Sequence, residues 1–272
     1  MEAYTCQQLC DVLKNMFNYK HMILYYGPES FESVKGIIEK DHKMPKKFVK
    51  SPVNKKIEPK AVTENTVLFV DYDAAQTYLY EYNRGAKYNT KMEPQVMVYN
   101  EYFGGSMNAI VFQEMREKRS LAYTAQSAYY RPSKKDSYYT NGSFIASQND
   151  KVIDALTAFE ELFDEMPVAE ANFKLAQESV QTKIRTNRTT KRGIMYSYLN
   201  SKKMGYKENP NIKNLEVIPT MTMQDIVDFN HKYIKGQHKT YMVLGRESDM
   251  DFNALAKFGK IKKLTLEDIF GY

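Results

Sequence analysis

Apolar and polar positions follow one another most informatively between positions 102 and 130, YFGGSMNAIVFQEMREKRSLAYTAQSAYY. Ile110, Val111, Phe112 and Met115 recur at helical spacing against a wet side of Glu114, Glu117, Lys118 and Arg119. Ser106 or Asn108 can cap that helix, because either side chain accepts from orphan backbone donors. From Leu121 the period becomes two, so Leu121, Tyr123, Ala125, Ser127 and Tyr129 share one face of a strand. A helix thus hands Arg116 to a strand that carries Tyr123.

The same patterning places the other elements. Residues 4–17 predict a helix lined by Leu9, Val12 and Leu13, and residues 21–26 a strand stopped by Gly27-Pro28. Ser30 caps a helix to about position 39 that turns Phe31, Val34, Ile37 and Ile38 inward. Strands are predicted over 66–72 and 76–82, the second with Gln76, Tyr78, Tyr80 and Tyr82 on one face and ended by Arg84-Gly85. A helix with Pro94 near its start follows over 93–102. After the central stretch come a return strand over 137–147 and a long helix capped by Asn149 or Asp150. Helices over 169–186 and around Met195 to Leu199 follow, then a loop over 205–211. Thr222 caps a further helix, TYMVLG at 240–245 is the closing strand, and Asp249 or Asp251 starts a last short helix. This order predicts an α+β fold, a mostly antiparallel sheet with helices packed on one side. Hairpin-like strand pairs replace the βαβ units of a doubly wound fold.

Two features suggest domain organisation. Residues 43–64 carry Pro45, Pro52 and Pro59 in polar surroundings and read as a linker. The stretch FNYKHMILYYGPES echoes YIKGQHKTYMVLGRESD near the C-terminus, which suggests two homologous domains, the first truncated. The expected division is 1–42, the end of a preceding domain; 43–64, the linker; and 65–272, the main domain.

Composition changes this picture little. With 272 residues, 43% hydrophobic and 26% charged, the chain has the make-up of an ordinary globular protein. Tyrosine stands out at 22, with 14 Phe and no Trp; its ring suits sheet faces and its hydroxyl suits peptide contacts. The net charge of +6 owes much to lysines between positions 43 and 60. They lack aromatic interleaving and helical period, so a solvated linker is expected and a nucleic-acid partner is not. No apolar run is long enough to span a membrane.

Candidate chemistry is sparse. His21, His42, His231 and His238 form neither HxxEH nor HxxxH, and Cys6 and Cys10 lack CxxC spacing, so no metal site is expected in this chain. No serine sits in GxSxG. Gly104-Gly105 is too short for a phosphate loop and allows a tight turn or room for a neighbouring chain. Arg116 and Tyr123 remain. A guanidinium can hold a carbonyl or carboxylate, and a phenol can donate to a developing oxyanion. An ordinary ion pair with Glu114 or Glu117 and a core tyrosine is the plainer reading of the same residues.

The stretch YFGG…VFQEMREKRSLAYTAQSAY resembles the pitrilysin and insulinase family of zinc metallopeptidases, peptidase family M16, in its non-catalytic half. The resemblance runs from about position 64 to the C-terminus. It implies paired α+β domains around a chamber, with zinc and a His-x-x-Glu-His motif in a separate N-terminal half. That half, on the same protein or a partner subunit, and a peptide substrate are the implied partners. Arg116 and Tyr123 match the arginine and tyrosine, seven residues apart, of the family's companion half. The resemblance implies that they hold the substrate backbone and assist at the oxyanion, with Phe103, Gly104 and Gly105 approaching the substrate. Proteolysis by this chain alone is not expected. The alternatives are a structural or interaction domain without peptidase function, and a module that binds peptides through exposed strand edges.

Overall fold

The computed structural model describes residues 4–53 and 57–271. The chain divides into two compact units, Met1–Ile57 with Thr189–Asn200, and Glu58–Arg188 with Ser201–Tyr272.

In the first unit, α1 (Cys6–Asn15) opens with a capping box in which Thr5 accepts from Gln8 and Gln8 reaches back to Thr5. The Ser30 hydroxyl caps α2 (Phe31–Asp41), accepting from the Ser33 N–H at 3.1 Å. The strand expected at 21–26 joins no ladder among the described residues; the pairing there is an isolated bridge between Tyr19 and Val49. The expected inward face of α2 is half wrong: Phe31 and Ile37 are exposed, while Val34 and Ile38 are partly covered. His21 and His42 brace the two ends of this segment, their Nε2 atoms 2.7 Å apart. His21 Nδ1 donates to the Tyr19 carbonyl at 2.7 Å.

The second unit is built on one six-stranded sheet: β1 (Thr66–Asp71), β2 (Thr77–Lys87), β3 (Thr124–Tyr130), β4 (Tyr138–Ser147), β5 (Thr240–Gly245) and β6 (Lys260–Lys263). The spatial order is β3-β4-β2-β5-β1-β6. The pairs β3–β4, β4–β2 and β2–β5 are antiparallel, and β5–β1 and β1–β6 parallel. The sheet is therefore mixed and predominantly antiparallel, in an α+β fold. β2 does not end at Arg84-Gly85 but continues through a register shift to Lys87.

Around the sheet lie α3 (Glu93–Phe103), α4 (Ile110–Phe112), α5 (Val152–Asp164), α6 (Glu170–Thr186), α8 (Pro210–Val217), α9 (Met223–Tyr233), α10 (Phe252–Leu255) and α11 (Leu266–Phe270), while α7 is Lys191–Lys203. α7 begins in residues of the first unit. Three elements lie outside the sequence-based expectation. α8 starts at Asn209-Pro210, where Asn209 caps and Pro210 occupies the first turn, a signal that reads equally as a loop. β6 is KIKK, whose single apolar residue gives no period, and α11 follows it.

The covered face of β2 carries Thr77, Leu79, Glu81 and Asn83, and the tyrosines Tyr78, Tyr80 and Tyr82 point the other way. Helices close over the covered face through an aromatic core. The Phe103 ring lies 5.4 Å from both Tyr99 and Phe163, and Tyr129 packs 5.0 Å from Tyr139. Each fully buried ring of this kind contributes roughly 1.5–3 kcal/mol through removal from water. The buried phenols also find partners: Tyr99 donates to Asn230, Tyr102 to the Pro167 carbonyl, and Tyr129 accepts from the Ala86 N–H.

Candidate functional site

The candidate site starts where α3 ends. Phe103 is 1% exposed and its ring belongs to the core. Gly104 lies flat against β3: a Cβ there would stand 2.2 Å from the Ser127 carbonyl oxygen and 2.6 Å from its nitrogen. One turn earlier, the Asn100 side chain donates to the Tyr129 carbonyl at 3.1 Å and accepts from the Tyr129 N–H at 2.7 Å. Asn100 and Gly104 together occupy the outer backbone edge of β3, a strand that would otherwise present free donors and acceptors. Gly105 is exposed.

The segment after the glycines is not capped as expected. The Ser106 hydroxyl donates to the Glu101 carbonyl, and the helix start carries no side-chain cap. Ala109 takes the cap position in extended conformation, and the Gln113 side chain donates to the Met107 carbonyl at 2.7 Å. After one turn, α4 widens into a π-helix over Gln113–Lys118. Such insertions are frequent at functional sites. The Arg119 N–H reaches back five residues to Glu114 at 3.2 Å, and the Leu121 N–H six residues to Met115 at 2.9 Å. Ser120 closes this end at φ 51°, the left-handed position that a glycine usually fills. For a residue with a Cβ that conformation costs roughly 1–2 kcal/mol.

Tyr123 is not inside the strand, as the alternation suggests, but one residue before it. Its N–H donates to the Ala146 carbonyl at 3.1 Å, and its ring is 71% exposed. Arg116 and Tyr123 come together. The guanidinium carbon lies 5.3 Å from the Tyr123 ring centroid and 5.0 Å from that of Phe112, within cation–π range. Arg116 Nε also stands 3.7 Å from a Glu117 oxygen, a solvated pair of little energetic weight. Both residues line an open cavity of about 310 Å³. Gln76, Gln148, Ser120 and Lys151 line it with them. Of these, Gln76 carried a readable signal, as the polar head of a tyrosine-bearing face; Lys151 and Gln148 carried none.

A larger cavity of about 590 Å³, lined by Glu160, Glu161, Asp164 and Glu165, contains neither Arg116 nor Tyr123. Three of its lining carboxylates are paired, Glu161 with Arg119 at 2.8 Å, Glu160 with Lys239 at 2.5 Å and Glu114 with Lys118 at 2.5 Å. Among the described residues, no group of three or more His, Cys, Asp or Glu side chains could hold a metal ion. A zinc ion therefore has no fitting ligand set among them. No described helix is long and apolar enough to cross a membrane.

The mixed sheet with peripheral helices defines an α+β domain, and its exposed Arg–Tyr pair is unaccompanied by a metal-ligand cluster among the described residues. A family model for the peptidase M16 inactive domain matches residues 3–180, and the chain belongs to that family. No curated protein sequence matches. Three solved structures share the fold. The peptidase M16 inactive domain from Pseudomonas fluorescens is 15% identical with a TM-score of 0.62, over 73% of this chain and 48% of that one. A protease from Helicobacter pylori is 10% identical with a TM-score of 0.63, over 79% and 53%. A conserved protein from Enterococcus faecalis V583 is 13% identical with a TM-score of 0.72, over 92% and 58%. This chain thus spans about half the length of these structures, which it matches over 48%, 53% and 58%.

Proposed function

We propose that this chain supplies substrate binding and oxyanion stabilisation to an M16-type zinc endopeptidase whose metal ligands lie on another segment or subunit. The observation that carries this reading is the shared cavity of Arg116 and Tyr123, both reachable from solvent. The Tyr123 hydroxyl would donate to a peptide carbonyl oxygen as negative charge develops there, and Arg116 would hold the adjacent backbone or the phenol. Phe103 and Gly104 serve by holding the turn against β3, and Gly105 is the member open to a peptide. In this reading residues 1–42 are the end of a preceding M16-like domain, 43–64 a linker, and 65–272 the companion domain.

The test uses the complete protein, including the half that bears HxxEH, with an unstructured peptide as substrate. Tyr123→Phe is expected to lower kcat about 100-fold with KM little changed, the signature of an interaction made in the transition state. Arg116→Ala is expected to lower kcat/KM by raising KM as well. The solvated pair of Arg116 with Glu117 favours a second reading, a structural or interaction domain without peptidase function. Unchanged kinetics in both variants would select it.

A further inference from the structure

The face of the sheet opposite the helices continues directly from the Arg116–Tyr123 cavity. Gln76 and Gln148 line that cavity, and each stands two residues from a position of this face, the exposed Tyr78 on β2 and the covered Ala146 on β4. Tyr78 and Ala146 are cross-strand partners. Beyond them Tyr78 stacks on Phe144 with ring centroids 6.1 Å apart. Next, the tips of Tyr80 and Tyr130 lie over Gly142, where a Cβ would meet the Tyr80 hydroxyl at 2.6 Å and a Tyr130 ring carbon at 3.0 Å. Tyr78, Tyr80 and Tyr130 are 42%, 38% and 44% exposed, an unusual row of large rings in water. From Gln76 to Tyr82 is six residues of extended chain, about 20 Å.

The far end of this row already holds a polypeptide. The Tyr82 hydroxyl donates at 3.1 Å to the backbone carbonyl of Lys60, in a non-helical stretch of the same chain. That contact shows how a phenol of this face holds a backbone carbonyl. The neighbouring outer edge of β3 is occupied by Asn100 and Gly104, which leaves the face, rather than strand addition at that edge, for a further chain.

The geometry points to an extended-peptide track on this uncovered face, running from the Arg116–Tyr123 cavity over Tyr78, Phe144, Tyr80 and Tyr130 towards Tyr82. It takes an unstructured segment of about six residues whose alternate side chains are aromatic or large and apolar, because alternate side chains of an extended chain face one way. The orientation towards the cavity rests on the proposed function; the track itself does not.

The test measures fluorescence anisotropy of two labelled decapeptides with the full 272-residue chain, one alternating Phe and Ser and one of Gly and Ser. The Phe-Ser peptide is expected to bind and the Gly-Ser peptide not. Tyr80→Ser combined with Tyr130→Ser is expected to weaken binding about tenfold, the usual effect of losing large rings at a contact. Should that pair fail to fold, Tyr80→Phe keeps the ring and is expected to lose about threefold through the hydroxyl alone. Equal binding of both peptides, no binding of either, or tyrosine variants indistinguishable from the parent would each overturn the track. Arg116→Ala in the same assay reports separately on the catalytic-site reading, so loss of one proposal leaves the other standing.

Discussion

Gly104→Ala is expected to destabilise the fold by about 3 kcal/mol or more, at and beyond the upper end for overpacking a tight site. A Cβ at 2.2 Å from the Ser127 carbonyl oxygen and 2.6 Å from its nitrogen meets backbone, which no side-chain rotation can clear. Relief requires β3 to move off α3. That movement breaks the two hydrogen bonds between Asn100 and the Tyr129 backbone and loosens the packing of Phe103. About 3 kcal/mol corresponds to a fall in Tm of roughly 6–12 °C for a unit of this size. The same exchange at Gly36 is the control. That glycine lies within α2 with nothing inside 4 Å of its Cβ position, so alanine there should stabilise by up to about 1 kcal/mol. Thermal melts of the two variants beside the parent decide it. A Gly104→Ala Tm equal to the parent's would mean that α3 and β3 do not press together as described.

What the sequence disclosed follows how local each signal is. The Ser30 and Thr222 caps act over three residues, and both helices begin where those residues place them. The strand TYMVLG at 240–245 is likewise found at its expected bounds. The alternation in β2 separated two faces but did not say which is covered. The structure covers the face carrying Thr77, Glu81 and Asn83 and leaves the tyrosines outside, against the simple expectation that the more apolar parity goes in. Residues 21–26 have strand composition without a strand neighbour among the described residues, and a ladder is a property of the pair. At the site, the handover from helix to strand and the family resemblance singled out Arg116 and Tyr123, but their approach depends on a π-helical turn and on a left-handed Ser120. Neither has a sequence period, because widening a turn requires only that the backbone reach one residue further. Helical spacing alone would have given Arg116 a different bearing relative to the strand.

The polar parity turned inward on β2 leads to an expected pH effect that the alternation alone does not reveal. Glu81 is 1% exposed, opposite Ser143 on β4 and Tyr241 on β5; neither carboxyl oxygen receives a well-formed hydrogen bond, because the neighbouring Ser143 hydroxyl donates to Ser127. Burial raises its pKa from the ordinary 4.5 to about 8; the nearby Lys239 opposes the shift, and Glu160 adds to it. Lys239 itself is committed to Glu160 at 2.5 Å. Between pH 4.5 and 8 the folded chain therefore keeps a proton on Glu81 that the unfolded chain releases. The stabilisation is fully present below 4.5 and is lost as the pH rises towards 8, with an upper limit of about 5 kcal/mol. Urea unfolding at pH 5, 7 and 9 should show the parent weakening across that range. Glu81→Gln keeps the shape, cannot ionise, and should flatten most of the slope while leaving the chain more stable than the parent at pH 9. Parallel slopes for the two would mean that Glu81 finds a cation or water partner in the fold and is charged there. The same substitution leaves Arg116 and Tyr123 untouched, so peptide binding by the variant at pH 7 should match the parent.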